Sequence, residues 1–137
     1  PSPLLADYEL VCTFAQGCNV DALRREARAL RVPAIVPLTV GKNSQPGFFE
    51  GLLGASPHFL SFVSRAHFEV APLSDRPGHF RVLNLSWNFI GVGQQMLGKG
   101  EQTVLLPPQT VDFIAAGNTA ASTVYLRFLL QQADAPA

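Results

Sequence analysis

The sequence predicts an all-β fold: a β-sandwich of many short, mostly antiparallel strands with a short helical insertion after the first. Eleven Gly and eleven Pro are scattered over 137 residues rather than clustered, and such punctuation cuts a chain into short strands and turns. The pieces between them are brief, apolar and rich in β-formers, and no long helical periods alternate with them. Apolar residues make up 47% and charged residues 15%, a balance that suits one globular domain with its own core and argues against a disordered segment.

The first strand is Tyr8 to Ala15, "YELVCTFA". Asn19 then stands where it can cap a short helix running to about Arg31. Leu23, Ala27 and Leu30 recur at i, i+4 and i+7 and give that helix a modest apolar face. Arg24, Arg28 and Arg31 form its neighbouring stripe, and Asp21 in the first turn complements the helix dipole. Ala34 to Val40 reads as a strand, closed by the turn-like "GKNSQPG", Gly41 to Gly47. Phe48 to Leu53 fits either a strand or one helical turn. "FVSRAHFEV" (Phe62 to Val70) and "HFRVLNL" (His79 to Leu85) read as antiparallel neighbours joined by the polar turn "PLSDRPG". Short strands are expected at Phe89 to Val92, Gln95 to Leu97, Thr103 to Leu106 and Thr110 to Ile114. Val124 to Leu130, "VYLRFLL", closes the sandwich as a strong strand, expected at an edge where it could pair between chains. The domain is expected over residues 7–131, with 132–137 a loose tail. The start at Pro1 instead of Met points to a piece of a longer protein.

Composition and motifs exclude several functions. Ten basic and ten acidic side chains cancel, so no global field recruits nucleic acid or a membrane. No apolar run approaches the roughly 18 residues of a membrane helix, and no secretory signal opens the chain. Cys12 and Cys18 lack the C-x-x-C spacing and are expected as free thiols, which favours a reducing, intracellular compartment, cytoplasmic or nuclear. "GQQMLGKG", Gly93 to Gly100, nearly matches a phosphate loop, but Gly100 replaces the magnesium-binding hydroxyl and a strand-like segment follows where a helix is needed. A hairpin turn accounts for these glycines better. Ser64 and His67 are three apart, so on a strand they face opposite ways and could meet only if Ser64 stood in a loop ahead of it. His58, His67 and His79 have no partners at metal-ligand spacing. No metal, cofactor or catalytic residue is therefore expected. Asn84-Leu85-Ser86 matches a glycosylation acceptor only formally.

"VSRAHFEV", then "LNLSWN", then "LGKGEQTVLLPPQTVDF" together resemble the forkhead-associated domain family, whose members show a Ser-Arg-x-His loop, a Ser-x-Asn loop and a closing strand pair in this order. The resemblance extends over about residues 8–131 and is most specific from Val63 to Phe113. It implies a β-sandwich with recognition loops at one end, and a non-enzymatic module that binds phosphothreonine segments of a phosphorylated protein partner. A phosphothreonine carries about −1.5 to −2 charge and three acceptor oxygens, so its reader needs converging donors. By resemblance, Ser64 supplies a hydroxyl, Arg65 and Lys42 supply charge, and Asn88 holds the peptide backbone, with Trp87 beside it. Gly41, His67 and Ser86 are implied as supports of these loops, His67 as a hydrogen-bonding tie rather than a ligand contact. The chain departs from the family at three places. Lys42 stands for an arginine and loses its bidentate fork, "QPGFFEGLLGASPHF" reads as an insertion, and Phe89 and Ile90 replace a glycine and a small hydroxyl residue. These departures motivate a second expectation, an interaction module of the same fold that has lost phosphate dependence.

Overall fold

The computed structural model describes residues 7–116 and 122–133. Among the described residues, ten strands make two antiparallel sheets. One has six strands in the order β2-β1-β10-β9-β6-β7: β1 Tyr8–Ala15, β2 Ala29–Val32, β6 Ile90–Val92, β7 Gln95–Leu97, β9 Gln109–Ala116 and β10 Ser122–Gln132. The other has four in the order β3-β4-β5-β8: β3 Leu38–Val40, β4 Phe68–Pro72, β5 Phe80–Asn84 and β8 Gln102–Leu105. The expected all-β sandwich is thus observed.

Alternation sets the inner faces. On β5, Phe80, Val82 and Asn84 are buried while Arg81 and Leu83 are half-buried, the period of two that a half-covered sheet requires. Bulges interrupt this pattern in the long strands. On β1 the register shifts between Cys12 and Phe14, so Thr13 and Phe14 both face outward, as an extra bulge residue allows. On β10 a shift between Val124 and Leu126 lets Tyr125 and Leu126 both be buried. Phe113 of β9 is the hub of the core: its ring lies 4.3 Å from that of His67, 5.6 Å from Phe68, 5.7 Å from Phe128 and 5.8 Å from Phe49.

Several expectations are corrected. No single helix spans Asn19 to Arg31. A 3-10 turn at Val20–Ala22 and a four-residue helix, α1 Arg25–Arg28, lead into β2 instead, and Asn19 makes no capping bond through its side chain. Pairing of Ala29–Val32 with Tyr8–Val11 satisfies backbone groups along the edge of β1, and this outweighs the weak helical period. The expected strand Ala34 to Val40 is a strand only over β3, with residues 34–36 in bends ahead of it. Phe48 to Leu53 is helical: α2 Phe48–Leu53 is followed by α3 Pro57–Leu60, and α2 buries Phe49, Leu52 and Leu53. The supposed insertion therefore adds to the core. Finally, β10 is not an edge strand. It lies between β1 and β9, so the backbone groups along both of its edges are paired. It runs to Gln132, opposite Tyr8, so the tail expected at 132–137 does not begin at Gln132; residues 134–137 of that expectation lie outside the described residues.

Candidate functional site

The register of the four-stranded sheet gathers three loops at one end. Val40 pairs with Phe68, Phe68 with Asn84, and Leu83 with Gln102. The exit of β3, the entry to β4, the exit of β5 and the entry to β8 therefore lie side by side. The chain between β4 and β5, with Asp75 and Arg76, is at the opposite end.

The predicted site residues come together here. The Lys42 amide donates to the Ser64 carbonyl at 3.0 Å, and the Asn43 amide to the Arg65 carbonyl at 3.1 Å, so the turn after β3 runs against the Ser64–Arg65 backbone. Gly41 is required by this approach: a Cβ there would lie 2.2 Å from the Arg65 carbonyl oxygen. Gln45 braces the same turn, accepting from the Gly41 amide at 2.8 Å and donating to the Thr39 carbonyl at 2.9 Å. Ser64 is in the loop ahead of β4, not on the strand, since β4 begins only at Phe68. Its hydroxyl lies 2.8 Å from the Ser86 hydroxyl, which also accepts the Asn88 amide at 3.1 Å. When Ser86 donates to Ser64, the Ser64 proton is left to point outward. Asn88 donates through Nδ2 to the Phe62 carbonyl at 3.0 Å, tying the loop after β5 to the loop before β4. Arg65 and Trp87 are exposed, and Lys42, Ser64 and Asn88 half-buried.

His67 is fully buried, and its Nδ1 accepts the Ser64 backbone amide at 3.0 Å. An accepting Nδ1 requires the neutral ring with its proton on Nε2. Burial enforces that state by pushing the imidazole pKa down to about 3. Its own amide donates to Val40 and its carbonyl accepts from Leu85. His67 thus faces the backbone of Ser64 and not its hydroxyl, and ties three segments.

Asn84, seen in the sequence only as a glycosylation match, is buried. Its amide donates to the carbonyls of Asn88 and Leu97, each at 2.9 Å, and its Oδ1 accepts the Ser86 amide at 2.9 Å. Gly100 donates to its carbonyl at 2.8 Å, so the turn between β7 and β8 joins the cluster. The signal in the sequence was a polar residue on the inward phase of an otherwise apolar strand, which burial makes expensive unless its bonds are met.

Charge distinguishes this end. Six of the ten basic side chains pair with carboxylates: Arg24 with Glu26, Arg25 with Glu9, Arg28 with Asp21, Arg31 with Asp7, Arg81 with Glu69 and Arg127 with Asp112. The arginines of residues 24–31 are thus matched to acids individually. The remaining four, Lys42, Arg65, Arg76 and Lys99, have no such partner among the described residues, and all but Arg76 stand on the three clustered loops. Lys99 was not anticipated from the sequence. The clefts of about 260 Å³ beside Glu9 and Arg25 and about 240 Å³ beside Ile35 and Phe80 lie away from these loops. Cys12 and Cys18 are both free thiols, as expected, and burial pushes the Cys12 thiol up to about 12.

No family model and no curated protein matches the chain in sequence. Solved structures do match its fold. An engineered forkhead-associated domain with a Myc-pTBD peptide superposes with a TM-score of 0.59 at 15% identity, covering 95% of this chain and 93% of that one. The forkhead-associated domain of MEK1 gives 0.54 at 12% identity, over 92% and 89%. That of the CT664 protein from Chlamydia trachomatis gives 0.53 at 17%, over 94% and 100%. Over 92–95% of its length the chain therefore has a forkhead-associated-like fold.

Proposed function

We propose that this chain is a non-enzymatic recognition module that binds phosphothreonine-containing protein segments, in signalling or complex assembly. The observation that carries this reading is the backbone pairing of the Lys42 turn with the Ser64–Arg65 loop, which places the Ser64 hydroxyl at the same loop end as two basic residues that have no carboxylate partner among the described residues. Ser64 and Arg65 donate to the phosphate oxygens, where charge-assisted bonds are strongest. Lys42 adds a point charge without an arginine's bidentate fork. Asn88 presents its amide oxygen to the peptide backbone while its Nδ2 holds Phe62. Trp87 offers an exposed ring beside it. His67, Gly41 and Ser86 hold this arrangement in place. The non-catalytic reading is supported by His67, which is buried, neutral and turned away from the Ser64 hydroxyl, and so is not placed as a general base. Two free thiols fit an intracellular setting.

A second reading, an interaction module of this fold without phosphate dependence, is favoured by two features. Lys42 replaces the arginine, and the Asn88 Nδ2 is already committed to Phe62. Anisotropy titration against phosphothreonine peptides and their unphosphorylated twins separates the two. The leading reading expects at least one peptide to bind only when phosphorylated, with Ser64→Ala weakening it by about 1–3 kcal/mol. Equal affinity within every pair overturns it in favour of the second.

A further inference from the structure

The end of the sandwich opposite the three clustered loops carries a groove that the phosphate reading does not use. It is lined by Tyr8 at the start of β1, Ile35 in the bend ahead of β3, Pro72 and Leu73 at the end of β4, and Pro77 and Phe80 on the way into β5. Two adjoining hollows of about 240 and about 290 Å³ share Ile35, Pro72 and Leu73, and so form one depression. The Tyr8 and Phe80 rings meet edge to face at 4.9 Å beside it, and Ile35 is 79% exposed. Among the described residues, no Asp, Glu, Lys or Arg lines either hollow. A contiguous apolar depression of this kind has no charge to offer an ionic ligand, and it is stabilised when apolar surface covers it.

The segment best placed to cover it is the one that precedes β1. Residues 1–6, "PSPLLA", lie outside the described residues and contain no Asp, Glu, Lys or Arg. They join the sandwich through Asp7, next to Tyr8, which is itself a wall of the groove. Asp7 fixes this junction: its carbonyl accepts the Ala133 amide at 2.8 Å and its Oδ1 accepts from Arg31 at 2.7 Å. Leu5 and Leu4 stand three and four residues ahead of Tyr8, a reach of about 10–13 Å in extended chain. Pro1 and Pro3 favour extended backbone, which lowers the entropy lost on docking. A segment tethered this closely meets the groove at an effective concentration on the order of 1 mM, an advantage that neither a second copy nor a separate partner has. We propose that residues 1–6 turn back at Asp7 and lay Leu4 and Leu5 in the groove between Tyr8 and Ile35. This docking does not depend on phosphothreonine binding at the other end.

The test reads the whole chain by NMR with methyl labels on leucine and isoleucine. Leu4 or Leu5 methyls should show NOEs to the Tyr8 ring and to Ile35, and these should be unchanged on dilution. Leu4→Glu together with Leu5→Glu should erase the NOEs and shift the Ile35 methyl resonances. Ile35→Ser, at a position exposed enough to keep the fold, should weaken the NOEs to Tyr8. The free peptide Pro-Ser-Pro-Leu-Leu-Ala should return the Ile35 resonances of the double variant toward their wild-type positions, while the wild-type chain does not respond to it at the same concentration. Absence of the NOEs, with Ile35 resonances that ignore the double substitution, overturns the proposal. So does a contact that fades on dilution and travels with the sedimentation mass of a dimer, which assigns the groove to a second copy. A wild-type chain that binds the free peptide as readily as the double variant does also overturns it, since the groove is then open to a separate partner.

Discussion

The chain concentrates positive charge in two places, and they differ in what surrounds it. Residues 24–31 hold four arginines, each within 4 Å of its own carboxylate. The loop end holds three cations with no carboxylate partner among the described residues, beside hydroxyl and amide groups tied together by hydrogen bonds. The density of arginine in the sequence therefore does not mark where cations stand without a carboxylate partner among the described residues. A cation already neutralised has little to gain from an incoming anion, whereas one left open beside converging donors is set to receive it.

The sharpest way to break the loop end is Gly41→Ala. The added Cβ meets the backbone carbonyl of Arg65, which cannot yield as a flexible side chain would, so the turn after β3 must separate from the Ser64 loop. A loss of about 3 kcal/mol in urea denaturation is expected, with phosphopeptide binding abolished. The next effect is on pH. The unfolded chain binds a proton on His67 near pH 6.5, the folded chain only near 3. Between those values the unfolded state holds more protons. Stability should therefore fall as pH falls through this window, by up to about 1.4 kcal/mol per pH unit from this group. Denaturation midpoints compared between wild type and His67→Gln should show a shallower acid limb in the variant. The smallest effect is expected at the other region. Arg24→Ala removes an exposed pair at 3.8 Å and should change stability by less than about 0.5 kcal/mol in the same assay.

Much of the sandwich was legible because period-two patterns and turn residues are local signals. "HFRVLNL" shows its inward and outward faces residue by residue, and Gln95–Leu97 is found where expected. Residues 19–31 failed because their weak helical period competed with a distant edge, β1, whose unpaired backbone recruits Ala29–Val32. The position of β10 also depends on neighbours far away in sequence. Within the candidate site, Ser64, Ser86 and Asn88 were legible as motif residues, and they do meet. Asn84, Gln45 and Lys99 were not. Asn84 bonds to segments up to thirteen residues away, Gln45 braces its own turn through backbone groups that no side-chain pattern marks, and Lys99 stacks on a ring from another loop, which no spacing of residues reveals.

The central claim, that open cations and not abundant ones form the binding surface, is tested most directly by one paired titration. A phosphothreonine peptide that binds the wild-type chain is titrated against Arg65→Ala and Arg31→Ala under identical salt. Arg65→Ala should weaken binding by about 1–3 kcal/mol, five- to 150-fold, while Arg31→Ala leaves it unchanged. Equal weakening by both, or a loss confined to Arg31→Ala, would contradict the account.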